Sequence, residues 1–127
     1  MNEATLKGQL MLALKEELPD AVCIRIEDKF KSGTPDLVVN HNKESSWYEV
    51  KYADPEFDSE GIQELTMRRL DRSSFHARYI VYDESLGTKR VLIVHPRNIH
   101  RWSTHYELVI KGFNHRGVAQ YIQRVHA

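Results

Sequence analysis

Between Gly33 and Lys51 the chain carries a tight turn followed by two short apolar runs, and this stretch constrains the fold more than any other. In Gly33-Thr34-Pro35-Asp36 the glycine permits the turn and Pro35 biases Thr34 toward extended geometry. Asp36 therefore enters the run Leu37-Val38-Val39 at a fixed place. A second run, Trp47 to Lys51, is the natural antiparallel partner, closing over Asn40 to Ser46. Strand alternation puts Glu49 and Lys51 on one face and Val50 on the other, and pairing brings Asp36 opposite or diagonal to Glu49. Two carboxylates then converge beside one ammonium.

Neighbouring carboxylates repel unless a cation joins them or one takes up a proton. Mg²⁺ is a simple remedy: it prefers oxygen ligands, keeps several waters, and is commonly held by one or two carboxylates plus substrate phosphate. Such an ion acidifies water and polarises a phosphoryl group, while the Lys51 ammonium would favour developing negative charge. The chemistry this combination suggests is phosphodiester hydrolysis.

The rest of the chain reads as alternating helices and strands. Asn2 is a candidate N-cap, and Leu6, Leu10, Ala13, Leu14 and Leu18 form a helical stripe ending before Pro19. Glu3 stands in the first turn, where a helix favours an acid, with Lys7 one turn later; Glu16 and Glu17 read as solvated. Ala21 to Ile26 reads as a strand that buries the lone Cys23, and Glu27 to Ser32 as a charged loop whose Lys29 and Lys31 are candidate phosphate contacts. After a loop from Ala53 to Asp58, Asp58 or Ser59 can cap a helix reaching about Arg72, with an apolar arc of Ile62, Leu65, Met67 and Leu70. Gln63 falls inside that arc, where glutamine gains nothing without partners. Contact with water or substrate at the carboxylates explains it, and a hydrogen bond to nearby backbone is the alternative.

Ala77 to Tyr82 reads as a strand parallel to the lysine strand, since a helix connects them. Arg90 to Val94 extends the sheet by a hairpin over a turn from Glu84 to Thr88. Beyond Pro96, a short helix over Arg97 to Trp102, a strand over Tyr106 to Ile110, and a helix over Gly117 to Val125 are expected. His95, His100 and His105 recur every fifth residue, which fits neither one helix face nor one strand face, so a zinc site is not expected. Trp102 suits either a core position or, with Arg97 and Arg101, stacking on an unpaired base.

At 127 residues the chain suits one domain, with 1–84 as core and 85–127 as a basic C-terminal extension of the same domain. No run is long enough for a membrane span, and no secretory leader is evident, so a soluble cytoplasmic protein with no membrane partner is expected. The formal net charge of zero conceals an asymmetry: residues 85–127 carry seven Lys and Arg against Glu107 alone. Five of the seven histidines also lie there, so this positive charge should grow on mild acidification. An acidic site with a basic flank suits a phosphate backbone.

Pro35-Asp36 followed by Glu49-Val50-Lys51 resembles the signature of the PD-(D/E)XK nuclease superfamily, and within it the chain looks most like the VRR-NUC group and stand-alone Holliday-junction-resolvase-like nucleases. The resemblance covers about two thirds of the chain, Asn2 to Asp83. It implies an α/β, restriction-endonuclease-like mixed sheet flanked by helices, and Mg²⁺- or Mn²⁺-dependent endonuclease activity on DNA. By resemblance Asp36, Glu49 and the Val50 carbonyl would be metal ligands, Lys51 would position and activate water, and Gln63 and Glu3 would complete the catalytic set. Lys29, Lys31, Arg68, Arg69, Arg97 and Arg101 are the candidate DNA contacts. A role in replication, repair or recombination, with branched DNA as substrate and a homodimer as the working form, is implied by the resemblance alone. The alternative from another class is a nuclease-fold module without turnover that binds DNA or docks a partner.

Overall fold

The computed structural model describes residues 1–27 and 33–127, so Lys29 and Lys31 lie outside the described residues. One six-stranded sheet, in the order β1-β2-β3-β4-β5-β6, organises the chain. Its strands are β1 (Val22–Arg25), β2 (Leu37–His41), β3 (Glu44–Ala53), β4 (His76–Asp83), β5 (Arg90–Val94) and β6 (Leu108–Lys111). Every neighbouring pair is antiparallel except β3 and β4, which are parallel across the connecting helix α2 (Gly61–Ser73).

The hairpin of β2 and β3 has the expected register and a tighter turn than the sequence suggests. Leu37 pairs with Tyr48, while Asn42 and Lys43 alone form the turn, with φ of 53° and 65°. Two successive left-handed residues match the twist of a two-residue hairpin, and asparagine tolerates that conformation better than most side chains. The strands consequently run further than the apolar residues indicate.

Helix α1 (Glu3–Glu17) is capped by Asn2, whose side chain accepts from the Thr5 amide at 2.9 Å, and it buries Leu6, Leu10 and Leu14. Helix α3 (His115–Val125) is capped by Asn114 in the same way. The two pack together on one sheet face, joined at their rims by Arg116 to Glu17 at 2.7 Å, so Glu17 is paired rather than merely solvated. Their apolar side chains meet Leu37, Val39, Tyr48, Val50, Ile80, Tyr82, Val91 and Ile93 in the larger core.

The opposite face is covered by α2 and by a short 3₁₀ helix, η1 (Pro96–Arg101), over a smaller cluster around Met67, Tyr79, Val81, Leu92 and Ile99. Trp102 packs at the edge of this cluster. Here α2 departs from its expected arc: Glu64 and Met67 are buried, while Ile62 and Leu65 are exposed. The inward side of α2 is therefore mixed: Met67 and Leu70 meet the apolar cluster, while Gln63 and Glu64 make polar contacts. The expected cap also moves, because the N-cap is Glu60 and the Ser59 hydroxyl instead donates to Glu64 at 2.9 Å.

At the sheet edge, Val22 and Ile24 face outward from β1, and Cys23, on the opposite face against the larger core, is only half-buried. Partial burial still pushes its thiol pKa up. Among the described residues no helix is long and apolar enough to cross a membrane.

Candidate active site

The site forms where β2 begins, against the middle of β3. Continuing the Leu37–Tyr48 register by one step sets Asp36 opposite Glu49, and both carboxylates are buried, at 3% and 4% exposure. Asp36 reaches across the end of the ladder: one carboxylate oxygen accepts from the Val50 amide at 2.9 Å, the other from Lys7 Nζ at 3.1 Å. Since the Val50 amide faces β2, its carbonyl faces the same side, and the residue opposite in that register is Pro35, which has no N–H to give it. The Asp36 carboxylate thus takes the place of a ladder carbonyl as acceptor for the Val50 amide.

Glu49 and Lys51 share the α2 face of β3, as strand alternation requires. Lys51 Nζ lies 3.6 Å from Glu49 Oε2 and is 8% exposed as a residue. Gln63, at the start of α2, donates to the same Glu49 oxygen at 2.7 Å. Its unexpected place on the helix is explained by this side-chain bond rather than by one to backbone. The Gln63 side-chain oxygen, Oε1, is buried without a hydrogen-bond partner among the described residues.

Gly33 fixes the helix against the Asp36 turn. It has φ of +86°, and a Cβ there would lie 2.9 Å from the Ile62 carbonyl of α2. No other residue suits both the left-handed backbone and that close approach.

Lys7, Glu64, His100 and Tyr79 are parts of this region that the sequence did not single out. Lys7 balances Asp36, and Glu3 stands half-buried one turn before it. Glu64 is buried and accepts from His100 Nε2 at 2.5 Å as well as from Ser59. The Tyr79 phenol lies beneath α2, its pKa raised first by burial and then by the charges of Glu49 and Glu64. The helical spacing of Glu3 and Lys7 was the available signal for Lys7; Tyr79 carried none, since a tyrosine in an apolar strand reads as core.

The basic residues are arranged less compactly. Arg68 and Arg69 are exposed on the outer side of α2, and Arg97 and Arg101 are exposed on η1, with Arg101 bonded to Asn98 at 3.1 Å. Folding opposes the expected growth of positive charge at three of the five C-terminal histidines, because burial lowers the pKa of His95, His115 and His126. His95 is instead paired with Asp71 at 2.9 Å.

The donor set fits a hard cation. Asp36, Glu49, the Gln63 side-chain oxygen and the Val50 carbonyl are all oxygen ligands, the class preferred by Mg²⁺ and Mn²⁺. Among the described residues no group of three His, Cys, Asp or Glu is placed to hold a metal, so two carboxylates would need water and phosphate to complete the sphere.

No protein-family model matches the chain, and no curated protein matches it. Among solved structures the fold is similar to Hjc, a Holliday junction resolvase from the archaeal hyperthermophile Archaeoglobus fulgidus, with a TM-score of 0.56, 15% identity, and coverage of 91% of this chain and 98% of that one. The class is therefore a resolvase-like, restriction-endonuclease-like α/β fold.

Proposed function

We propose that the chain is a divalent-metal-dependent endodeoxyribonuclease that acts on branched DNA during replication, repair or recombination. The observation that carries this reading is the burial of Asp36 and Glu49 opposite one another, with Lys51 3.6 Å from Glu49 on the same strand face. In the reaction a water oxygen bonds to phosphorus, the bond from phosphorus to one sugar oxygen breaks, and that oxygen leaves with a proton. Asp36, Glu49 and the Val50 carbonyl would hold Mg²⁺ or Mn²⁺, which when bound supplies Lewis acidity toward the phosphate and lowers the pKa of water. Lys51 would orient the attacking water and favour the charge that develops on the phosphoryl oxygens. Gln63 fixes Glu49, and Lys7 with the Val50 amide fixes Asp36, so neither carboxylate has to be ordered during the reaction. Glu3 would support this arrangement from α1.

The resolvase neighbour makes a four-way junction the first substrate to try, with a homodimer as the working form. Exposed Arg68, Arg69, Arg97 and Arg101 would hold phosphates without reading sequence. The membership suggested by the sequence, VRR-NUC within the PD-(D/E)XK nucleases, belongs to the same proposal.

A second reading, a nuclease-fold module that binds DNA or a partner without turnover, draws on one feature: both Asp36 oxygens already have partners in Lys7 and the Val50 amide. One experiment separates the two. Labelled linear, single-stranded, flapped and four-way-junction DNA is incubated with Mg²⁺ or Mn²⁺, with chelator and Lys51→Ala as controls. Cutting of a branched substrate that both controls abolish is expected; tight binding without cutting would transfer the assignment to the second reading.

A further inference from the structure

A cleft of about 590 Å³ opens beside the candidate active site, between the loop that joins β3 to α2 and the end of η1. Its walls include Phe57, Ser59, Ile99, His100 and Trp102. The rings of Phe57 and Trp102 stand 5.4 Å apart at 39°, both partly exposed. The loop begins three residues after Lys51 and ends three before Gln63, and Lys51 Nζ lies 5.9 Å from the Phe57 ring centroid. Cleft and carboxylate site therefore share a wall. The bonds of Ser59 and His100 to buried Glu64 tie loop, helix and η1 together, so the cleft is held open by fixed elements rather than formed on demand.

The geometry points to a binding cleft for one unpaired nucleobase of the substrate strand, next to the phosphate held at Lys51. Aromatic faces accept any base by stacking. The outer lining includes Glu56 and Asp58, which repel a phosphate but accept hydrogen bonds from the amino groups of an uncharged base. The charge pattern thus directs the backbone to the lysine and the base to the rings. A fully stacked duplex cannot place a base there, so the cleft selects DNA with an unpaired nucleotide at the cutting point. This assignment rests on the nucleic-acid reading above and narrows its substrate.

The test measures binding without turnover, in Ca²⁺ and chelator separately, using a flap or junction with 2-aminopurine at one unpaired position and a fully paired duplex of equal length. Binding should change the 2-aminopurine fluorescence only where the base is unpaired. Trp102→Leu should weaken that complex about ten- to a hundredfold, the value of one lost base stack, while duplex affinity stays the same. Because Trp102 touches the smaller core, Ser103→Leu, which puts an aliphatic side chain at the cleft from an exposed position and offers no ring to stack on, provides a second variant with the same expected loss. No fluorescence change, or equal losses on both DNAs, overturns the cleft assignment even if the chain cuts DNA. Selective loss in a chain that never cuts would keep the cleft and remove the nuclease.

Discussion

The two faces of the sheet are built from alternate residues of the same strand and have opposite characters. On β3, Tyr48 and Val50 point toward α1 and α3 into a large apolar core, while Glu49 and Lys51 point toward α2 among Gln63, Glu64 and the Tyr79 hydroxyl. The first face stabilises by removing apolar area from water. The second buries charges, whose desolvation offsets most of their mutual attraction. A chain gains little stability from that second arrangement, which is why it suggests chemistry; the first face supplies the rigidity that holds the charges in place.

The sharpest way to break this contrast is to truncate one buried side chain on each face. Lys51→Ala should lower the cleavage rate of folded protein about 10²- to 10³-fold, the usual effect of removing one group aimed at developing charge, and should also lower the melting temperature, because it takes the ammonium away from buried Glu49. Leu10→Ala, beneath the other face, should destabilise by about 2–5 kcal/mol and leave cleavage per folded molecule unchanged. Denaturant melts together with single-turnover cleavage check both. If Leu10→Ala lowers the cleavage rate of fully folded protein as much as Lys51→Ala does, the faces are not separable.

The apolar face was the more legible in the sequence, for a physical reason. The stripe of Leu6, Leu10 and Leu14 and the alternation along β3 follow from periodicity, because apolar burial has no directional requirement. Asp36 and Glu49 were legible through the hairpin register. On α2 the same logic placed half of the arc: Met67 and Leu70 pack inward, but Ile62 and Leu65 are exposed and Glu64 is buried, since the helix also lies over a charged site. Lys7 and His100 were missed because their partners, Asp36 and Glu64, lie 29 and 36 residues away in sequence. No local period records such a contact.

Acid should act mainly on the apolar face. His76 lies against Tyr48 there and bonds Tyr121 at 2.7 Å, with its pKa lowered to about 4 by burial and the Arg78 charge, partly opposed by Glu107 and Asp71. Nearby His126, held between Ser46 and the His41 carbonyl, is also lowered by burial. Between their ordinary value near 6.5 and the folded value of about 4 for His76, the unfolded chain binds more protons than the folded one. Their contribution is thus fully present above 6.5 and is lost as pH falls through that window. Melting temperature should decline over this range, and His76→Gln, which keeps a hydrogen-bonding group but does not titrate, should flatten the decline. An unchanged slope would move the acid sensitivity to the carboxylate face.

The smallest effects belong to the exposed arginines. Arg68 and Arg69 are exposed on the solvent side of α2. If the α2 face is where DNA lies, each removal should weaken binding to every DNA sequence alike and reduce the slope of log affinity against log salt by about one. Stability should stay within about 0.5 kcal/mol of the parent. The informative control is Arg116, which is exposed on the α1 and α3 face and pairs with Glu17. Arg116→Ala should leave the salt slope unaltered, because that face would point away from the backbone. Equal reductions from Arg68→Ala and Arg116→Ala would mean that DNA does not distinguish the faces, and the burial of charge beneath α2 would then need an explanation other than substrate.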